Sequence, residues 1–241
     1  MLLDSNPGND AVEKVALFES MIKGETFAFF DVEDFELIIE YYLELDFKKK
    51  AKKALEIALE QYPIDLALTL IKIEFLNSSQ RFDESLKALN NLNKFHPNNI
   101  DVVLGLGRLY SLMENKPHAI KYLNHAHHLI LLDSSYNDHL QDLSYEFIQI
   151  GKFDSAIKVL KQILSFKPND ETVMMELGVA YHESGKFQES VNYFKEVIDG
   201  NPYSHIAWFN LATIYNVNED WKEAIFTYEM CLVINEKFTA A

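Results

Sequence analysis

Histidine is the side chain whose spacing in this sequence first suggests chemistry. Five of the eight histidines lie in one stretch: His118, His125, His127, His128 and His139. His125 and His128 stand three apart, so on a helix they share a face within reach of a common metal. A helical zinc pair needs two histidines four apart with a glutamate between them. That spacing is absent and no cysteine is near, so the expected reading is a solvated helix face without a metal. The single cysteine, Cys231, has no evident histidine partner. There is no Gly-rich phosphate loop and no nucleophile elbow. Carboxylates are plentiful, 37 in all, but charged residues ordinarily cover solvated faces, and no pair stands out as general acid and base. The expectation is no catalytic residue, no cofactor and no enzyme activity in this chain.

The elements that position these residues are repeated. Pro63, Pro97, Pro168 and Pro202 are separated by 34, 71 and 34 residues. Small residues at Ala51, Ser85, Ala119, Ala156, Ser190 and Ala224 follow intervals of 34, 34, 37, 34 and 34. Both series place one three-residue break at the same point, which Ser134, Ser135 and Tyr136 fill as a lengthened helix or a wider turn. A period of about 34 residues signals helix–turn–helix units stacked into a solenoid. Each period holds two amphipathic stretches with apolar residues three and four apart. Gly107, Gly178 and Ala212 in first helices face the small residues of second helices, which lets the two approach closely. Gly151 and Gly185 suit the left-handed residue that ends a first helix. Phe82, Phe153, Phe187 and Trp221 are expected to plug the hairpin ends. The prolines end second helices, and Asn169-Asp170 can cap the next first helix. Cys231 falls at a small, buried position of the last repeat and reads as a core thiol.

The clearest repeat runs Met174-x-x-Leu177-Gly178-x-x-Tyr181, then Gly185-Lys186-Phe187, Ser190, Phe194 and Pro202. It resembles the tetratricopeptide repeat, and the next unit adds Trp208 at the signature aromatic place. The resemblance implies an all-α, right-handed solenoid of six hairpins, at about 32–65, 66–99, 100–136, 137–170, 171–204 and 205–238. Residues 1–31 are expected to be a tail, over 1–8, and a capping helix over 9–23 whose inner face carries Val12, Val15, Ala16 and Ile22. The unit at 66–99 departs most, because Thr69 and Lys72 occupy normally apolar places. The residues at 236–241 match the start of a further unit, so the chain reads as part of a longer protein. The apolar face of residues 221–235, with Ile225, Tyr228, Met230 and Leu232, is then expected to self-associate.

The resemblance also implies a function. First helices of such hairpins line a concave surface that binds peptides or partner helices. The residues flanking the packing positions are Glu36 and Glu40, then Glu74, Arg108, Asp142 and Tyr145, then Met175, Glu176, Phe209 and Asn210. Residues 24–47 carry eight carboxylates and no Lys or Arg. The Lys, Asn and Arg set with which some relatives grip a chaperone's terminal carboxylate is missing. The expected partner is therefore a basic or mixed basic–apolar protein segment, with this chain as a non-enzymatic scaffold. The alternative is a docking or regulatory part of a longer enzyme or regulator whose active part lies beyond residue 241.

Bulk charge narrows the classes further. The net charge of −15 opposes binding to nucleic acid, including recognition by RNA-binding helical repeats, and to anionic membranes. One cysteine allows no intrachain disulfide, which suits a reducing, cytoplasmic setting. No signal peptide and no membrane-length apolar run is present.

Overall fold

A computed structural model describes residues 7–235, with side chains from Asp10 onward. Among the described residues there are thirteen α-helices and no strand. They are α1 (Pro7–Ile22), α2 (Val32–Glu44), α3 (Lys48–Gln61), α4 (Leu66–Ser78), α5 (Phe82–Phe95), α6 (Ile100–Leu112) and α7 (Lys116–Leu132). Then follow α8 (Leu140–Gln149), α9 (Phe153–Phe166), α10 (Glu171–Glu183), α11 (Phe187–Gly200), α12 (His205–Val217) and α13 (Trp221–Ile234). Ser134–His139 forms a 3₁₀ turn between α7 and α8. The three-residue insertion therefore both extends α7 to 17 residues, against 14 in α9, and fills this turn. The helices divide into two compact units that part at Val102.

The repeat lies in the backbone as well as in the side chains. Left-handed residues occur at Asp46, Gln80, Glu114, Gly151, Gly185 and Glu219, in the same 34- and 37-residue register. Each lets the next amide reach back over the last turn of a first helix, as in Phe47 N–H to Tyr42 O at 2.7 Å and Lys152 N–H to Phe147 O at 2.7 Å. This is the Schellman closure. Four of the six first helices, α2, α4, α6 and α10, also start alike. The side chains of Asp31, Asp65, Asn99 and Asp170 accept hydrogen bonds from the amides of Asp34, Leu68, Val102 and Val173 at 2.8, 3.0, 3.0 and 3.1 Å.

In the first unit α1 packs on α2, but not through the expected face. Val12 and Ile22 are 47% and 48% exposed and Ala16 is exposed, whereas Val15 and Phe18 are buried. The face is set by aromatic packing: the Phe18, Phe30 and Phe35 rings lie 5.7–6.1 Å apart. Tyr62 closes the cluster against Phe35 and donates to the Phe30 carbonyl at 3.0 Å. In the second unit Ala156 and Ala224 are buried where helices cross. A Cβ on Gly178 would sit 2.7 Å from the Phe194 ring. Trp221 plugs its hairpin end only in part, since about half of its surface stays exposed. α1 begins at Pro7, inside the tail expected over residues 1–8; the rest of that tail and the further-repeat register over 236–241 lie outside the described residues.

Candidate partner-binding surface

In the first unit the acidic face belongs to α2. Glu33, Glu36, Glu40 and Glu44 recur three and four apart and so share one side of the helix. The remaining carboxylates of this stretch do structural work. Asp31 and Asp34 form a reciprocal capping box, and Asp34 also meets Lys14 at 2.5 Å. Asp46 meets Lys48 at 3.1 Å, and Glu25 accepts from Ser20 at 3.2 Å. Partial burial raises the Glu36 carboxyl above its ordinary range, with smaller contributions from Asp65, Glu33 and Glu40. Glu40 and Glu74 are exposed, the latter on α4.

In the second unit two of the expected residues are spent on each other. Arg108 on α6 donates to Glu146 on α8 at 2.8 Å, and its guanidinium lies 3.6 Å from Asp142. Glu146 is buried at a position taken by Leu109 and Ala180 in neighbouring repeats. The sequence pattern did not single it out, because its partner lies 38 residues away. A carboxylate is tolerable there because the guanidinium compensates it. Along the next pair of first helices Gln141 donates to Glu176 at 2.8 Å. Burial raises the Glu176 carboxyl, the Gln141 bond opposes this, and Asp170 adds to it. Tyr145 is 57% exposed. Met175 lies 4.0 Å from the Ser204 hydroxyl, and Phe209 leans on Tyr228 at 5.9 Å. Phe209 is thus partly committed to its own hairpin, and Asn210 beside it is half-buried.

Two histidines of the cluster have separate partners. His118 stacks on Tyr110 at 4.9 Å and contacts Asn115 at 3.0 Å, and His127 meets Gln162 at 3.1 Å. Among the described residues no group of three His, Cys, Asp or Glu could hold a metal. Cys231 is buried, its thiol is pushed up by burial, and it donates to the His205 carbonyl at 3.3 Å. One charged feature escaped the sequence reading although the run is plain: Lys48, Lys49, Lys50, Lys52 and Lys53 open α3. Lys50 meets Glu19 at 2.6 Å and lies over the Tyr42 and Phe47 rings.

Residues 142–205 and 176–230 each match the family model of the tetratricopeptide repeat. Residues 142–230 carry tetratricopeptide repeats. The fold is the all-α solenoid built from such hairpins. Its helices superpose on the crystal structure of MamA with TM-score 0.54 at 20% identity, covering 70% of this chain and 97% of that one. A second likeness is to YrrB, described as a TPR protein with an unusual peptide-binding site, at TM-score 0.56 and 17% identity over 77% and 94% of the two chains. A third is to the putative kinesin light chain repeats of Podospora anserina, at TM-score 0.59 and 15% identity over 72% and 96%. At such identities the likeness is one of fold. No curated protein matches the chain in sequence. No helix among the described residues is long and apolar enough to cross a membrane.

Proposed function

We propose that this chain is a non-enzymatic protein-interaction module that binds a peptide or partner segment on its first helices. The observation that carries the reading is the exposed face of α8 and α10 in the second unit, where Tyr145 and Val179 stand out beside Met175 and Glu176. Exposed aromatic and apolar side chains ringed by polar groups are the usual anchors of such surfaces. The description of YrrB as peptide-binding supports the same use of the fold. In the first unit the α2 face, with Glu33, Glu36, Glu40 and Glu44, favours basic side chains. The pairing of Arg108 with Asp142 and Glu146 leaves α2 as the main source of that preference. The proposal therefore has a basic segment on α2 and a mixed basic–apolar segment on α8 and α10, with no nucleic acid or membrane as partner. A cytoplasmic setting goes with it, resting on the lone core thiol.

The test is binding of labelled basic–apolar peptides to the chain and to a Glu36→Lys, Glu40→Lys variant. Binding should weaken in the variant and with added salt, because exposed charges are screened over about 8–10 Å. Equal affinity for both proteins would remove the acidic preference. A second reading, self-association, rests on α13, where Ile225, Phe226, Leu232 and Val233 are exposed. Sedimentation of wild type against an Ile225→Glu, Phe226→Glu variant decides it: both monomeric at high concentration would exclude it.

A further inference from the structure

The second repeat, α4 with α5, departs from the others in a way that leaves space. Position 73 corresponds in register to Gly107 and Gly178, yet like Ile39 in the first repeat it holds an isoleucine, Ile73. In the fifth repeat the close approach at Gly178 lets Ser190 donate to the Gly178 carbonyl at 2.6 Å. The equivalent Ser85 is fully buried and its hydroxyl has no partner. α4 and α5 pack less extensively than α10 and α11. The two places that fill a hairpin elsewhere, Met174 and Leu177 in the fifth repeat, are Thr69 and Lys72 here. Neither can fill the gap, so a cleft of about 1300 Å³ opens over α4 between the end of α3 and α5.

Leu59, Leu76, Ala88 and Leu92 contribute the apolar lining of this cleft. Two large apolar side chains on its lining stand in solvent, Ile64 at 91% exposed and Phe95 at 80%. Its charged lining is mainly cationic, against the strongly acidic chain. Lys72 and Lys87 line it, and among the described residues neither has an ion-pair or hydrogen-bond partner. The one carboxylate of the lining, Glu84, is held by two hydrogen bonds from Arg81 at 2.6 and 2.7 Å. A smaller cleft of about 410 Å³ shares Leu59, Lys72 and Leu76 and adds charges of both signs.

We propose that this cleft docks an amphipathic helical segment of a partner protein, apolar on its inner side and flanked by aspartate or glutamate. The volume exceeds the ~300–1000 Å³ of ordinary small-molecule pockets, which points to a peptide. An all-helical unit offers no sheet edge, so helix-in-groove is the mode that suits it. In a solenoid each hairpin is completed by another helix laid across it, and a docked helix does the same for this loosely filled one. Lys72 and Lys87 select acidic flanks. The preference is opposite to that proposed for α2, and the site is separate from it.

The experiment is fluorescence anisotropy with the full chain and a labelled peptide of about 16 residues, ~24 Å as a helix. The probe carries Leu at positions three and four apart and Glu beside them; its twin carries Lys for every Glu. The acidic probe should bind and its twin should not. Lys72→Glu, Lys87→Glu should weaken the acidic probe about tenfold, the effect of losing two partly exposed charge pairs. Thr69→Leu, Lys72→Leu should fill the cleft and abolish binding while raising the melting temperature. If that variant fails to fold by circular dichroism, the Lys→Glu pair alone decides. Glu36→Lys, Glu40→Lys should leave the acidic probe unaffected, which separates this site from the α2 face. The proposal is overturned if the acidic probe fails to bind at about 1 mM, if it binds the Lys→Glu variant equally, or if the basic twin binds wild type as well. It is also overturned if wild type self-associates and the Leu variant is monomeric, because the occupant is then a second copy.

Discussion

The second and fifth repeats share one register and differ in what fills it. In α10 and α11 a glycine admits the Phe194 ring, a serine bonds to that glycine's carbonyl, and Met174 and Leu177 close the hairpin. In α4 and α5 an isoleucine, an unbonded serine, a threonine and a lysine stand at the same places. The backbone devices are nonetheless alike: Asp65 and Asp170 cap the first helices, and Gln80 and Gly185 turn the chain. Helix boundaries and turns therefore tolerate loss of close packing within a hairpin. What that loss changes is the surface, since unfilled interior positions become a cleft.

The largest expected effect comes from importing the second repeat's residue into the fifth. Gly178→Ile should destabilise by about 3 kcal/mol, at the upper end for overpacking, because its Cβ alone meets Phe194. Denaturant unfolding would show it, and a change below experimental error would mean that the close approach is not structural. Next, filling the open hairpin with Thr69→Leu, Lys72→Leu should stabilise by about 1–2 kcal/mol in total, since neither site gives the roughly 1.5–3 kcal/mol of a fully buried side chain; an unchanged melting temperature would mean the cleft does not take the new side chains. Smaller still is the turn. Gln80→Gly relieves a left-handed non-glycine residue and should stabilise by about 1 kcal/mol, while Gly185→Ala should cost about the same. Equal effects of one sign would contradict the shared turn geometry.

The smallest effect is pH dependence. Burial raises the Glu176 carboxyl in the folded protein, so the folded state holds that proton more tightly than the unfolded chain. Its contribution is fully present below the ordinary carboxylate range and is lost as pH rises through the raised value. Glu176→Gln should keep the Gln141 contact and flatten this part of the stability profile. Glu19 goes the other way. Its hydrogen bond from Lys50, then that from Tyr42, holds it low, so its contribution is present above the ordinary range and is lost as pH falls. Melting temperatures of Glu19→Gln and Glu176→Gln from pH 3 to 7 should therefore diverge from wild type at opposite ends.

Much of the fold was legible because its signals are local. A small residue marks every repeat and a proline ends four of the six, and the three-residue insertion falls where both series place it. The turns were only partly legible. Gly151 and Gly185 announce a left-handed residue, whereas Asp46, Gln80, Glu114 and Glu219 adopt it without a compositional sign. The face of α1 was misjudged because Val12 and Ile22 are as apolar as the residues that pack. Only the distant Phe30 and Phe35 decide between them. Of the residues expected to line a groove, the helix that carries each was readable but their intramolecular partners were not. Arg108 is bound to a carboxylate in the next repeat, and Glu146 is buried where the pattern calls for an apolar residue. Thr69 and Lys72 were visible as departures, yet the cleft they leave follows only from the spacing of α3, α4 and α5.

Hydrogen exchange resolved along the chain tests the central contrast most directly, because protection reports local opening. Amides of α4 and α5 should exchange well before those of α10 and α11, and the acidic amphipathic peptide should slow exchange in α4 and α5 alone. Equal protection of the two hairpins, or peptide-induced protection confined to α8 and α10, would contradict the account.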